Sequence, residues 1–296
     1  MIGMMQLIAH AALAYLSLDE MVAAGEHVVE QGTLEQLASR RQRFAIAADA
    51  ALSLEYGAYG EFPVRSMAQI LQHPLVREAA ESPNLGDRGS ADDAGGGAIF
   101  IDYGSGAGRL FLAVAAMHDW GGVVGVEAME ALHDLADTAV HVTEQRGSLR
   151  EGVARSVHSG DSLPHEEPVA REMARADVIF LYSTAFPSED GLRLPRLSAS
   201  LACVLREGAL VITADKWLVG DRFHFETLIT VSGENDESIQ AHLWRVVGAP
   251  VSGGFEAALV HIDEHWADDD ACKTNERACH ALLRALGETD AAEEDV

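Results

Sequence analysis

The fold is decided by AIFIDYGSGAGRLF, residues 98–111. Ala98–Asp102 is a short apolar run closed by an acid, the mark of a buried strand entering a turn. Gly104, Gly106 and Gly108 supply that turn, and Leu110–Met117 follows at once with helical apolar spacing. Strand, glycine turn and helix in direct succession form the first unit of a parallel α/β sheet.

Working outward, the alternation continues. Val123–Glu127 reads as strand, Met129–Gln145 as helix, Val153–Ser159 as a weaker strand and Asp177–Tyr182 as a strong one. Leu192–Leu205 reads as helix and Ala209–Ala214 as strand. Phe223–Val231, His242–Val247 and Phe255–Ile262 read as antiparallel strands, because no helical segment separates them. The expected fold class is therefore α/β and Rossmann-like: a mostly parallel sheet, antiparallel C-terminal strands and a helical N-terminal portion. Residues 1–97 form that portion, with Pro63 before a helical run and a Gly, Ser and Asp-rich linker over 81–97. The sheet domain spans 98–263. Residues 264–296 read as an acidic helical tail, with five acids and no base in its last ten residues.

Composition narrows the function classes. The 296 residues are 48% hydrophobic, which excludes wholesale disorder. Lys and Arg number 21 against 47 Asp and Glu, a formal charge of −26. That balance argues against direct nucleic-acid binding and permits a basic protein partner. Cys203, Cys272 and Cys279 are too few and too irregular for a disulfide framework or a zinc site. No Lys or Arg precedes Arg40, and Gln6 and His10 interrupt the N-terminal apolar stretch. The stretch reads as a packed helix, so neither secretion nor a membrane anchor is expected.

The glycine turn is also the most informative site. A helix starting directly behind glycines leaves its first N–H groups open to a ligand. Glu127 stands at the next strand end, nineteen residues beyond Gly108, where an acid takes both hydroxyls of a ribose. The dinucleotide pattern G-x-G-x-x-G is not met, because its third glycine would fall at Arg109. The spacing is D-x-G-x-G-x-G, and a carboxylate at Asp102 repels a pyrophosphate. It suits a phosphate-free ligand with a cationic amino-acid portion, and S-adenosylmethionine is such a ligand.

GSGAG preceded by Asp102 and followed by Gly125-Val126-Glu127 resembles the cofactor motif of class I S-adenosylmethionine-dependent methyltransferases. Tyr59-Gly60-Glu61 ahead of Ala68-Gln69, Gly160-Asp161-Ser162, and Val178–Phe186 followed by Gly208–Lys216 resemble, in order and spacing, segments of DOT1-like histone-lysine methyltransferases. The likeness covers residues 55–263. It implies a histone H3 lysine as methyl acceptor and a nuclear location; without it, a cytoplasmic one is expected. It also implies that Tyr59, Gly60 and Glu61 close over the cofactor, while Asp102, Gly104, Ser105, Gly106 and Gly108 cradle it. By the same resemblance Glu127 holds the ribose, Asp161 and Ser162 meet the adenine, and Phe186 packs near the methyl-transfer site. Tyr182 is the leading acceptor-side residue, because it ends the fourth strand.

The chain departs from the family at Phe62, where Thr is usual, and at Arg109, where Gln is usual. Tyr182 and Ser183 replace an Asn pair, and Ala257 and Ala258 align with a tyrosine pair of a late strand. These positions leave two alternatives open: methylation of a small molecule or non-histone protein, and a non-catalytic cofactor-binding homologue. Transfer from a sulfonium needs no metal and no covalent intermediate, only alignment and exclusion of water. Tyr59, Phe62, Tyr182, Phe186 and Trp217 are the aromatic candidates for an acceptor channel, each also readable as a core aromatic. His261 and His265 have the spacing of a metal helix, but they overlap an expected strand and lack the H-E-x-x-H order. Residues 104–106 do not make a nucleophile elbow, since Tyr103 and Ala107 occupy its outer glycine positions.

Overall fold

The computed structural model describes residues 17–31, 42, 43, 45, 60–81, 97–188, 191–233 and 237–262. Tyr59, His265, most of the 81–97 linker and the whole 264–296 tail lie outside the described residues.

Helix α1, Leu18–Val29, opens with a capping box in which Ser17 Oγ accepts from the Glu20 amide and the Glu20 carboxylate accepts from the Ser17 amide. Helix α2, Val64–Leu71, follows Pro63, whose fixed φ suits a helix start. Helix α3 is Pro74–Glu81. Strand β1, Ile99–Tyr103, then leads through the glycine turn into α4, Arg109–Met117. Strand β2 (Gly122–Glu127), α5 (Glu130–Gln145), β3 (Ala154–His158), α6 (Val169–Met173) and β4 (Val178–Leu181) continue the alternation. Helix α7 (Pro195–Val204) precedes β5 (Leu210–Ala214), and a hairpin of β6 (Phe223–Ser232) and β7 (Ser238–Val246) completes the sheet.

The strand order is β3-β2-β1-β4-β5-β7-β6. Strands β1 to β5 pair in parallel, whereas β7 is antiparallel to both β5 and β6. This is the expected Rossmann-like arrangement. Chain order reverses between β1 and β4, and ligands bind at such a switch point, beyond the carboxyl ends of the strands.

Residues of β1 alternate between two cores. Phe100 joins Phe180 of β4 and Met21, Val64, Met67 and Phe111 of the helices on one face. Ile99 and Ile101 join Ile179, Val211 and Leu201 on the other. Helices α1 and α2 thus share the core of the first sheet face. At Gly25 a side chain would meet Met117 Cε at 2.4 Å, which is why α1 can lie so close to α4. Ser66 Oγ of α2 donates to the Ser232 carbonyl at 2.5 Å and ties the same helices to the sheet edge.

One expected strand is a helix. Residues 255–262 fall in α8, Gly254–His261, preceded by Gly253 at φ 104°. Phe255, Ala258, Leu259 and Ile262 pack with Ala199 and Val219, an i, i+3, i+4, i+7 stripe that only a helix brings to one face. Val260 consequently points outward and is 50% exposed. His261 ends this helix rather than a strand. Among the described residues no group of three possible metal ligands occurs, and no helix is long and apolar enough to cross a membrane.

Candidate donor-binding cleft

A shallow open cleft lies over the ends of β1 and β4. It is lined by Gly60, Glu61, Phe62, Asp102, Gly104, Ser105, Gly106, Arg109, Leu110, Phe180 and Tyr182. The sequence reading had joined seven of these as site residues from three separated segments. The cleft brings them together.

Asp102 sits between Gly125 of β2 and Phe180 of β4 in the strand register. It is 2% exposed, and its Oδ2 has no hydrogen-bond partner. Burial, and then the nearby Glu127 carboxylate, push its acid up to about 8, against a hydrogen bond from the Phe111 amide that acts in the opposite sense. Ser105 Oγ is likewise buried and unpartnered. Two buried polar atoms without hydrogen-bond partners, on residues that line one cleft, are costly.

The glycine turn works differently from the expectation of open amides. Gly104 and Ser105 donate their N–H groups to the Val126 carbonyl at 2.8 and 3.0 Å, and Gly106 donates to Glu127 Oε2 at 2.7 Å. The first three amides of the turn are therefore engaged inside the protein and are not offered to a ligand. Positive φ angles of 87°, 56° and 86° at Gly104, Gly106 and Gly108 explain the residue choice. Gly108 does not line the cleft: it starts α4, with Ala136 and Phe111 about where a side chain would stand.

Glu127 is 5% exposed and holds the loop rather than lining the cleft. Besides Gly106, it accepts the Met129 amide on Oε1 at 2.8 Å. Burial raises its pKa, opposed by those amides. With the Ala128 amide as well, three backbone donors hold this carboxylate and leave about one lone-pair site open. Asp161 and Ser162 follow Gly160 beyond β3, where the Ser159 amide bonds the Glu127 carbonyl at 2.9 Å. They neighbour the site without lining it.

Phe62, Phe180 and Tyr182 form an aromatic wall of the cleft. Phe62 lies edge-on to Phe180 at 4.9 Å and to Tyr182 at 5.3 Å. Gly60 passes so close to Tyr182 that a side chain would touch its ring at 3.1 Å. Phe186 is not in this wall. It packs against Tyr103 at 5.9 Å on the other sheet face and touches the glycine turn from behind. Trp217 is also on that face, donating to His242 Nε2 at 3.0 Å. Ser183 Oγ is spent on the Ala214 carbonyl at 2.5 Å, and Ala257 and Ala258 lie on α8.

The sequence reading missed Arg43, Leu110 and Phe180. Arg43 holds Glu61 through both carboxylate oxygens, at 2.6 and 2.9 Å. Its only sequence signal is a base set beside the apolar Phe44-Ala45-Ile46 run. Phe180 and Leu110 belong to apolar runs, and nothing in such a run marks the one residue that borders a cleft.

Residues 93–233 match the family profile described as "Histone methylation protein DOT1". No curated protein matches the chain. Among solved structures, it is similar to the O-methyltransferase from Bacillus cereus in complex with SAH: 11% identity, 77% of this chain, 100% of that chain, TM-score 0.40. It is similar to TrmN from Thermus thermophilus at 17% identity, covering 71% of this chain and 55% of that one, with a TM-score of 0.40. For an arsenic (III) S-adenosylmethionine methyltransferase from Chlamydomonas reinhardtii the figures are 12%, 52%, 64% and 0.37.

Proposed function

We propose that this chain, a methyltransferase with a DOT1 domain over residues 93–233 and S-adenosylmethionine as its donor, methylates a lysine of a basic protein, the histone H3 tail first. The observation that carries the reading is Asp102, a buried acid with an orphaned oxygen in a cleft at the switch point of a DOT1-type sheet.

When bound, S-adenosylmethionine supplies a methyl group on a sulfonium, ready for in-line displacement by an amine. The cleft residues fit that donor. Asp102 Oδ2 and Ser105 Oγ offer acceptors to its ammonium, and Glu127 fixes the turn beneath it. Phe62, Phe180 and Tyr182 exclude water and make an apolar approach for the acceptor, which favours the neutral, nucleophilic form of an incoming lysine. The −26 charge draws a basic protein toward the molecule and disfavours nucleic acid.

A second reading, transfer to a small molecule or a non-histone protein, is supported by Ser183 and by Ala257 and Ala258. The first has its hydroxyl bonded inside the fold, and the others stand on a helix behind α7, so the family's acceptor-channel positions are not reproduced. Radiolabelled methyl transfer onto nucleosomes, free histones and a whole-cell extract separates the two. Label recovered as methyl-lysine on histone H3 supports the first reading. Label confined to small molecules or other proteins, or none despite donor binding, overturns it.

A further inference from the structure

We infer that Lys216 is a positioning residue of the donor cleft: by donating to the Phe186 carbonyl it holds the Phe186 ring against Gly104, the first glycine of the donor turn. The inference rests on S-adenosylmethionine being the donor.

The chain that leaves β4 straddles the glycine turn. Tyr182, at its start, lines the cleft, whereas Phe186 lies behind the turn, where a side chain at Gly104 would meet its ring at 3.5 Å. Gly104 itself lines the cleft, so the ring backs a surface offered to the donor. Between the two aromatics runs a single 3₁₀ turn, Ser183–Ala185, closed by the Phe186 amide on the Ser183 carbonyl at 3.0 Å. Two side-chain bonds fasten this short piece to the residues that follow β5. Ser183 Oγ donates to the Ala214 carbonyl at 2.5 Å, and Lys216 Nζ donates to the Phe186 carbonyl. The second is charge-assisted and made by a half-buried ammonium, which strengthens it.

The backbone after β5 is shaped to present Lys216. The Lys216 amide donates to the Ala214 carbonyl, two residues back, at 2.8 Å, and Asp215 between them stands at φ 63°, a γ-turn of the rarer hand. Asp215 is the one non-glycine residue at positive φ among the described residues. Such a conformation persists only where its surroundings impose it. Gln240 of β7 does so from both sides: its amide donates to Asp215 Oδ1 at 2.9 Å, and its carbonyl accepts the Asp215 amide at 2.8 Å. Thr213 Oγ1 then donates to the Lys216 carbonyl at 2.6 Å while accepting the Trp244 indole N–H at 3.0 Å. Contacts therefore run from Gln240 through Asp215, Lys216 and Phe186 to Gly104. Lys216 does not line the cleft, so it acts on the donor through Phe186.

A double-mutant cycle on donor affinity tests the inference, read by calorimetric titration of the full chain with S-adenosylhomocysteine well below the melting temperature. Lys216→Met and Phe186→Ala are each expected to weaken binding about fivefold. Because one acts through the other, the double variant is expected to bind no worse than the weaker single variant, whereas independent effects would multiply to about twenty-five-fold. A residue that only stabilised the fold would lower the melting temperature and leave the affinity of the folded protein alone. Multiplied losses, or unchanged binding in Lys216→Met, overturn the inference. Should Lys216→Met not fold, a measurement that leaves Lys216 in place decides. Lys216 and Lys273 are the chain's only lysines, so in Lys273→Arg protein with carbon-13-labelled lysine a single side-chain signal reports Lys216. That signal is expected to shift on saturation with S-adenosylhomocysteine, and a signal that stays in place overturns the inference. A wild-type protein that does not bind S-adenosylhomocysteine instead overturns the donor assignment, and the inference falls with it.

Discussion

Asp102 shows how one side chain couples ligand, proton and stability. Its folded-state acid, near 8, lies far above the ordinary value of about 3.9 for an unfolded chain. Between those values the native protein holds a proton that the unfolded chain has released. Stability therefore falls as pH rises from about 4 to about 8, and levels off above. A cationic donor favours the ionised form, so its affinity is expected to climb with pH over the upper part of that window. Asp102→Asn should raise the melting temperature at pH 8 by several degrees, more than at pH 5, and flatten the pH dependence of donor binding. Differential scanning fluorimetry and calorimetry across that range check both. The position of this residue, at a strand end before the glycine turn, was legible in the sequence from an acid two residues before the first of three glycines. Its neighbour Arg109 showed only as a departure from a pattern, and Phe62 as a departure and an aromatic candidate. Arg43 was invisible, because an ion pair across eighteen residues of chain follows from tertiary packing, not from spacing.

Among the elements, the parallel half was readable because buried strands in such sheets are continuous apolar runs between glycine or acid boundaries, as at Ile99–Tyr103 and Val178–Leu181. Helix α8 was misread because Phe255–Ile262 is apolar enough to pass for a short strand. Its 3.6-residue stripe shows only once the partner, α7, is known. Arg222 fastens this end of the molecule. Its guanidinium donates to the carbonyls of Ala202 and Leu205 at the end of α7, and to those of Val247 and Gly248 just beyond β7, at 2.6 to 3.1 Å. It is 5% exposed, so Arg222→Ala removes four hydrogen bonds, two of them buried. The expected cost is about 2–4 kcal/mol, read as a lower midpoint in denaturant. Arg222→Lys should recover little of it, since an ammonium lacks the planar fork. Donor affinity should stay within twofold, because no Arg222 contact reaches the cleft.

For the whole molecule, the sheet order sets where chemistry can occur, and the reversal between β1 and β4 puts the cleft there. The strand–helix alternation made the mostly parallel layered class legible, but the same alternation is compatible with other strand orders, so this one shows only in the structure. How helices α1 and α2 pack was not legible either: their apolar faces announce burial without saying against what, and they join the same core as Phe100 and Phe180. Charge acts at this scale as well. If the proposed acceptor is a histone tail, its association with this acidic chain should slow several-fold as salt rises from low to physiological ionic strength, whereas donor affinity changes little. Stopped-flow mixing at two salt concentrations reads the difference.

Titration of wild-type and Asp102→Asn proteins with S-adenosylmethionine at pH 8 tests the donor cleft most directly. The account predicts saturable, one-to-one heat for the wild type and at least tenfold weaker binding for the variant. No heat from the wild type, or equal affinity in the two proteins, would contradict it.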